Sequence, residues 1–196
     1  LQDTDAIIHL ACISNDPSYD LNPELSKSIN SSAIKIIISE SKKAKIKRFI
    51  QASSSSVYGV KKEKNVTEDL SLEPLTDYAK YKALSEKLLL EKLNSYVPTV
   101  IIRSATVCGY SPRQRLDLTV NILTNHAINE GVIKVFGGKQ YRPNVHIDDI
   151  TNLYKNLLTV ETEKIAGKVY NFGAQNHTVS EIAQMVKSVV KPKGGV

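Results

Sequence analysis

The sequence predicts an α/β fold in which a doubly wound parallel sheet is covered by helices. Two observations support this prediction. Apolar stretches rich in β-branched residues alternate with longer amphipathic stretches along the first half of the 196-residue chain. Within the apolar stretches the apolar residues are continuous rather than alternating, which is typical of strands buried on both faces of a parallel sheet. Ligands of such sheets lie beyond the carboxyl ends of the strands, so the residues that follow each strand are the candidates for function.

The predicted elements alternate between strand and helix up to residue 109. This first part contains strands at 5–11, 46–53 and 97–103, and helices at 23–44 and 78–94. After residue 109 the pattern loosens, and we predict a short covering segment at 132–138, a strand at 168–172, and helices at 118–129, 148–160 and 179–190, the last with Thr178 as its N-cap. We therefore expect two regions, 1–109 and 110–196.

The composition argues against several classes of protein. The chain is 41% hydrophobic, 23% charged and 6% aromatic, as ordinary globular proteins are. No run approaches the roughly 20 apolar residues of a membrane helix, and no secretory signal is visible. Cys12 and Cys108 are too few for a disulfide framework and wrongly spaced for zinc, so we expect a cytoplasmic protein without a metal site. The motifs GxSxG and HExxH are absent, which argues against hydrolase and zinc-enzyme chemistry.

The net charge of +6 comes mostly from lysines in short clusters. No long basic stretch with interleaved aromatic residues is present, so we expect solvated surfaces and no nucleic-acid partner. The alternative interpretation is attraction to a polyanion or to a phosphorylated small molecule.

A tyrosine and a lysine stand four residues apart at the start of the predicted helix 78–94. Residues at this spacing share one helical face, so Tyr78 and Lys82 can point at the same spot. A nearby ammonium favours the phenolate and lowers the tyrosine pKa from about 10 toward a value usable for proton transfer. The spacing alone is weak evidence, because both residues are common on helix surfaces. The hydroxyl-rich segment ASSSSVYG, which contains Ser54, follows the strand 46–53 and strengthens it.

Ser54, Tyr78 and Lys82 together resemble the catalytic triad of the extended short-chain dehydrogenase/reductase family, which includes nucleotide-sugar epimerases and dehydratases. The resemblance is closest to enzymes of the UDP-glucose 4-epimerase type and spans nearly the whole chain. Further stretches agree in the family's order, namely HLACISNDP, Ile29-Asn30, RFIQASSSSVYG, RSATVCG, YRPNVHIDDI and VYNFGAQNHTVSEIA. The resemblance implies a Rossmann-like fold in which 1–109 is the carboxyl-terminal portion of an NAD-binding domain with the catalytic residues. Region 110–196 then mixes substrate-binding elements with returning elements of that domain.

The resemblance also implies roles for individual residues. Ser54 would hydrogen-bond the reacting sugar hydroxyl, Tyr78 would be the acid/base, and Lys82 would hold the nicotinamide ribose of NAD. The NAD site would be lined by these last two residues together with Leu10, Ala11, Ser14 and Asn30. A nucleotide-diphosphate sugar would be contacted through its sugar by Ser56 and Thr106, and through its diphosphate by Asn121 and Arg142. The helices at 23–44 and 78–94 would form a four-helix bundle in a homodimer.

The expected activity is an NAD-dependent 4-epimerisation through a transient 4-keto sugar. Dehydratases similar to this family carry an Asp-Glu pair directly after the catalytic hydroxyl residue, where this chain has Ser55 and Ser56. This departure favours an epimerase or a simple oxidoreductase. The alternatives are an NAD(P)-dependent nucleotide-sugar dehydrogenase, reductase or dehydratase and, from another class, a non-catalytic scaffold of the same fold that binds RNA or a protein.

The glycine-rich turn that binds a pyrophosphate is not found in the sequence. None of the nine glycines forms a GxGxxG pattern, and the chain opens at Leu1 within the stretch that the resemblance makes a fourth strand. The turn belongs to a βαβ unit of about 30 residues. We therefore expect the glycine-rich amino-terminal βαβ unit, and a segment after Val196, to be absent from this chain.

Overall fold

The computed structural model describes residues 1, 3–14, 16–63 and 65–190. Their contacts form two compact units, and each is described by itself. The first unit consists of Leu1–Ser104 and Leu153–Asn171, and the second begins with Ala105–Asn152 and resumes at Phe172. The domain boundary expected after residue 109 stays a prediction. Within the described ranges, no helix combines the length and the apolar character that crossing a membrane requires.

The first unit is built on a parallel sheet. Its strand order is β1-β2-β3-β6, with β1 at Ala6–His9, β2 at Arg48–Ser54, β3 at Thr99–Ser104 and β6 at Lys168–Phe172. The first three strands pair in parallel, with Ile8 opposite Ile50 and Ile50 opposite Val100. All four predicted strands are thus confirmed, and the one at 168–172 has the predicted bounds. Parallel pairing brings the residues after β1, β2 and β3 to one edge of the sheet.

Helices pack their apolar residues against this sheet. The predicted helix 23–44 is one helical run made of α2 (Pro23–Lys27), a π-helical turn (Ser28–Ser32) and α3 (Ala33–Lys43), and α4 spans Asp77–Lys92. A short helix α1 at Asp16–Leu21 was not predicted. These helices and the sheet share one hydrophobic core, formed by Ile34, Ile38, Ile46, Phe49, Leu89, Leu93, Val97 and Ile101. The face of α4 that carries Lys82 is therefore held firmly against the sheet.

The second unit contains a small mixed sheet that the sequence did not predict. Strand β4 (Thr106–Cys108) pairs in parallel with β5 (Tyr141–His146), which pairs antiparallel with β7 (Gln175–Thr178). These strands are short and half-exposed, so they lack the continuous apolar run that marks a buried strand. The predicted covering segment 132–138 forms neither helix nor strand.

The predicted helices after residue 109 are confirmed, with ends shifted by up to three residues. They are α5 at Thr119–Asn129, α6 at Ile147–Leu157 and α7 at Val179–Val189. Helices α5 and α7 share a small core that includes Leu123 and Ile182. Thr178 caps α7 as predicted, and its hydroxyl accepts a hydrogen bond from the Glu181 amide while the Glu181 carboxylate accepts one from the Thr178 amide. Two 3₁₀ turns, Ser55–Tyr58 and Thr162–Lys164, complete the described elements.

Candidate active site

Strand β2 ends in a turn whose hydroxyl groups are bonded to one another. Ser54 is the N-cap of the 3₁₀ turn Ser55–Tyr58, and its Oγ accepts hydrogen bonds from the Ser56 amide at 3.2 Å and the Ser56 hydroxyl at 3.0 Å. Both bonds fix the position of the Ser54 oxygen at the edge of the sheet where ligands of this fold class bind. Ser56, which was predicted to contact a sugar, lies exposed beside it.

Tyr78 and Lys82 lie on one face of α4, as their spacing predicted. Thr76 caps the helix by accepting a hydrogen bond from the Ala79 amide at 3.3 Å, which places the tyrosine in the first turn. The Lys82 side chain is buried, with the residue only 7% exposed, and its Nζ lies 5.8 Å from the centre of the Tyr78 ring. This distance is within the range at which an ammonium attracts the face of an aromatic ring. The structure therefore brings a half-buried phenol and a buried cation together.

The Lys82 ammonium also joins α4 to the end of β2. Its Nζ donates a hydrogen bond to the Ala52 carbonyl at 2.7 Å. Ala52 lies two residues before Ser54 on the same strand, so this bond holds the helix that carries Tyr78 against the strand that carries Ser54. All three residues predicted to be catalytic thus stand on elements joined by one ammonium, and their catalytic roles stay a prediction.

His9 lies at the end of β1, where its surroundings favour the neutral imidazole. Burial lowers the pKa of His9, and the nearby Lys82 charge lowers it further, against the opposing effect of a hydrogen bond with Gln51. That bond joins His9 Nδ1 and Gln51 Oε1 at 2.9 Å. A neutral imidazole adds no second positive charge beside the Lys82 ammonium.

The residues predicted to line the NAD site follow β1. Leu10, Ala11 and Ser14 are exposed, whereas Asn30 is half-buried in the π-helical turn Ser28–Ser32. Asn30 Oδ1 accepts a hydrogen bond from the Ile13 amide at 2.8 Å, and its Nδ2 donates one to the Ile13 carbonyl at 2.9 Å. The Asn30 side chain therefore holds in place the segment around Ile13, which carries the exposed residues of the predicted NAD site.

The other predicted substrate residues lie in the second unit. Thr106 is half-exposed on β4 opposite Asn144, and Arg142 is exposed on β5 opposite His177. Asn121 is buried on α5. Its Oδ1 accepts a hydrogen bond from the Gly109 amide at 3.3 Å, and its Nδ2 donates one to the Arg115 carbonyl at 2.8 Å. The Asn121 side chain thus ties the loop that follows β4 to the helix.

Asn121 also lines a cavity of about 130 Å³ in the second unit. Arg113, Arg115, Cys108 and Gly109 lie in the wall of the same cavity. Gly109 has a φ of 111°, and a Cβ there would lie 2.7 Å from His146 Nε2, so a side chain at this position would clash. Arg115 pairs with Asp117 at 2.6 Å and holds the pKa of that carboxyl below its usual range.

Sequence analysis missed two groups of polar residues. The two arginines of the cavity follow β4 within a few residues of each other, and that position after a strand was the signal that could have identified them. Arg103 and Glu86 form a buried ion pair in the first unit. Arg103 interrupts the apolar run TVIIRS, and a charge inside a buried strand indicates a buried partner.

Known proteins resemble this chain in sequence and in fold. The model of the NAD dependent epimerase/dehydratase family matches residues 1–173. A protein of Bacillus subtilis described as an uncharacterized UDP-glucose epimerase, YtcB, is 32% identical over 199 residues, which cover 96% of this chain and 60% of that protein.

Two solved structures have the same fold. UDP-glucuronic acid 4-epimerase from Bacillus cereus in complex with NAD superposes with a TM-score of 0.82 at 31% identity, over 95% of this chain and 59% of that one. MoeE5 in complex with UDP-glucose and NAD gives a TM-score of 0.82 at 26% identity, over 96% of this chain and 63% of that one. These likenesses confirm the predicted Rossmann-like α/β fold.

The chain spans about three fifths of the length of these three proteins. The matches to them cover 95% to 96% of this chain. The match to the family model covers well over half of the chain. The chain belongs to the NAD dependent epimerase/dehydratase family.

Proposed function

We propose that the protein carrying this chain is an NAD-dependent nucleotide-sugar 4-epimerase with Tyr78 as its acid/base. The observation that carries the proposal is the buried Lys82 ammonium, which lies 5.8 Å from the centre of the Tyr78 ring and is bonded to Ala52, two residues before Ser54. A scaffold has no physical need to bury a cation beside a phenol at the ligand-binding edge of its sheet. The similarity to a UDP-glucuronic acid 4-epimerase supports the same conclusion.

In the proposed proton transfer, Ser54, Tyr78 and Lys82 of the first unit each have a separate role. Ser54 donates a hydrogen bond to the hydroxyl on C4 of the sugar and orients it. Tyr78, as the phenolate, takes the hydroxyl proton, and the Lys82 ammonium stabilises the negative charge of the phenolate. Bound NAD supplies the two-electron oxidation of C4 and its reversal, so the sugar passes through a 4-keto form. The configuration at C4 is inverted because the hydrogen is restored to the opposite face of that carbon, and Tyr78 returns the proton to the oxygen on C4.

The residues that follow β1 fit a dinucleotide. Leu10, Ala11 and Ser14 are exposed at the carboxyl end of the strand, where ligands of parallel sheets bind. The two hydrogen bonds between Asn30 and Ile13 keep that segment in place. Leu10 and Ala11 would pack against a flat ring, Ser14 would bond a polar group, and Lys82 would hold the nicotinamide ribose.

The second unit supplies the groups that would bind the nucleotide diphosphate. Asn121 lines the cavity together with Arg113 and Arg115, and Arg142 is exposed on β5. Guanidinium groups suit paired phosphate oxygens, because their N–H donors form a planar fork. The contacts of Thr106 and of Ser56 with the sugar stay predictions of the family resemblance. UDP-glucose in the MoeE5 structure supports a UDP-sugar as the substrate class.

Epimerisation is favoured over dehydration by the residues that follow Ser54. Loss of water from C5 and C6 needs a further acid and a further base. Ser55 and Ser56 have hydroxyl groups that do not ionise near neutral pH, and the Ser56 hydroxyl is donated to Ser54 at 3.0 Å. An epimerase returns its cofactor to the starting state, so the chemistry is complete without that additional pair.

The exposed apolar residues of α2, α3 and α4 support a homodimer. Ile36 is 66% exposed, and Leu25 and Leu84 are also exposed on these helices. Burying them against the same helices of a second copy gives the four-helix bundle that the resemblance implies. Light scattering of the full-length protein is expected to give the mass of a dimer, and Ile36→Glu is expected to give a monomer. Val189→Glu, at an exposed apolar position of α7, is the control, and a monomeric wild type contradicts the dimer.

Tyr78→Phe tests the proposed function. The full-length protein is incubated with UDP-glucose or UDP-glucuronic acid, and the sugar products are followed by proton NMR. Tyr78→Phe is expected to reduce turnover by about 1000-fold because the proton acceptor is lost, while NADH fluorescence shows that the cofactor still binds. Tyr81→Phe, one turn further along α4, is the matched control and keeps its turnover. Undiminished turnover of Tyr78→Phe contradicts the assignment, and net formation or consumption of NADH favours a dehydrogenase or reductase.

A further inference from the structure

A buried ion pair lies directly behind the proposed catalytic residues. Arg103 is 6% exposed and Glu86 is 3% exposed. Arg103 Nε and Nη2 donate to Glu86 Oε2 at 3.1 and 2.8 Å, and Nε also lies 3.3 Å from Oε1. The Ser53 hydroxyl donates to Glu86 Oε1. Ser53 precedes Ser54 on β2, and Glu86 lies one helical turn after Lys82 on α4. The Glu86 carboxylate therefore links the residue beside Ser54 to the helix that carries Lys82.

Arg103 extends the same network to the segment that leads into α4. Its Nη1 donates to the Tyr58 hydroxyl at 2.8 Å and to the Glu68 carbonyl at 3.3 Å. The Tyr58 hydroxyl donates in turn to Asn171 Oδ1 at 2.7 Å, and the Asn171 amide donates to the Glu68 carboxylate at 2.6 Å. We call these residues with Ser53 and Glu86 the Arg103 network. It therefore contacts the end of β2, the middle of α4 and the connection between them.

Stability alone is a weak explanation for such a network. Replacing a buried ion pair with apolar residues of similar volume is often neutral or stabilising, because removing charges from water costs about as much as their attraction returns. Burial lowers the pKa of Arg103, but the bonds to Glu86 and its charge outweigh this effect and raise the pKa above its usual value. The guanidinium is therefore permanently charged, and its planar fork imposes a defined geometry on every group it contacts.

We propose that Arg103 is a positioning residue, which acts through Glu86, Ser53 and Tyr58 to fix the placement of Ser54, Tyr78 and Lys82 relative to one another. The inference rests on the proposed function, since it concerns the geometry of the proposed proton transfer. Each proposed catalytic group is connected to one arm of the network. Ser54 follows Ser53, Lys82 lies one turn before Glu86, and Glu68 belongs to the connection that leads into α4, the helix that carries Tyr78 in its first turn.

The double variant Glu86→Leu/Arg103→Met separates positioning from stability. Both charges are replaced by apolar side chains, so no buried charge is left without a partner, and the protein is expected to stay folded although the buried Ser53 hydroxyl loses its acceptor. The kcat of the full-length protein for its UDP-sugar is expected to fall about 100-fold, the cost of misplacing a reacting group by about 1 Å. The KM is expected to change by less than about threefold, because binding groups are left in place. NADH binding, measured by fluorescence, is expected to weaken about tenfold, because a displaced Lys82 no longer reaches the nicotinamide ribose.

Tyr58→Phe and Arg48→Met provide the second variant and the control. Tyr58→Phe removes one hydroxyl of the network and is expected to lower kcat about tenfold with little change in KM. Arg48→Met removes a half-buried arginine at the opposite end of β2, where it donates to the Leu157 carbonyl. It is expected to leave kcat, KM and NADH affinity unchanged.

The outcomes distinguish this inference from the proposed function. The proposed function holds if the wild type converts the sugar and Tyr78→Phe does not. If, in that case, the folded double variant and Tyr58→Phe both keep kcat within about twofold of the wild type, the ion pair is only structural and the inference is wrong. Should the double variant fail to fold, the kcat of Tyr58→Phe decides alone. If the wild type converts no nucleotide sugar, the proposed function itself is wrong, and the positioning role is rejected with it.

Discussion

In the first unit the residues proposed for chemistry stand on long, mostly buried elements. In the second unit, by contrast, two of the residues proposed for binding, Thr106 and Arg142, stand on strands at positions open to solvent, and only Asn121 is buried, on α5. Strand β2 is buried along most of its length up to Ser54, and Lys82 is packed inside. Thr106 and Arg142 lie on strands that are half-exposed or exposed at those positions. Proton transfer requires reacting groups held within fractions of an ångström, whereas side chains at a binding surface commonly adjust when the partner arrives. We therefore expect the proposed chemistry to depend on the buried elements of the first unit and the proposed substrate binding on the exposed positions of the second.

Lys82→Met is the largest test of this division. The methionine keeps the length of the side chain and removes the charge beside Tyr78, so kcat is expected to fall about 100-fold with a small change in KM for the sugar. Steady-state kinetics of the full-length protein measures both constants. Lys80→Met is the matched control, because Lys80 lies on the same helix in an exposed pair with Asp77. A Lys82→Met protein whose kcat is unchanged would place the chemistry elsewhere.

Arg142→Met tests the binding side of the comparison. If Arg142 bonds phosphate oxygens as proposed, loss of its guanidinium is expected to raise the KM for the UDP-sugar about tenfold and to leave kcat within about twofold. Lys139→Met, an exposed cation earlier in the same segment, is expected to keep the KM of the wild type. If Arg142→Met instead lowers kcat strongly at constant KM, the division between the units fails.

The pH dependence of stability tests how well the first unit excludes water from the end of β1. Since burial lowers the pKa of His9, the unfolded chain binds a proton at this residue at a higher pH than the folded chain does. Stability is then expected to be constant above about pH 6.5 and to fall as the pH decreases toward the folded-state pKa. Urea unfolding at several pH values is the measurement, and His9→Asn is expected to flatten the curve in this window. If His9→Asn loses stability with falling pH as the wild type does, the pKa of His9 is the same in the folded and the unfolded chain, and the account is wrong.

The sequence predicted the two units with different success for a physical reason. The stretch that became β3 carries the run TVII, whose continuous, β-branched apolar character is typical of a strand buried in a parallel sheet. In contrast, β7 is the polar segment QNHT, whose pairing with β5 depends on contacts made after folding. The π-helical turn that contains Asn30 has no signature in the sequence.

Some residues of the candidate site could be predicted from the sequence and others could not. The spacing of Tyr78 and Lys82 puts them on one helical face, and the hydroxyl-rich segment follows a buried strand, but it was the family resemblance that selected Ser54 and joined the three residues into one site. Glu86 was not identified, because its partner Arg103 lies on another element and only the folded chain brings them together. The cavity arginines likewise become neighbours of Asn121 only through the loop that follows β4.

The most direct test of the central claim follows the hydrogen on C4 of the sugar. The full-length protein is supplied with UDP-glucose deuterated at C4, and the product is analysed by mass spectrometry and deuterium NMR. Oxidation and reduction at C4 by one bound cofactor predict a 4-epimer that keeps its deuterium at C4, with no net change in NADH absorbance. Deuterium lost to solvent, or moved to another carbon, would contradict the proposed epimerisation.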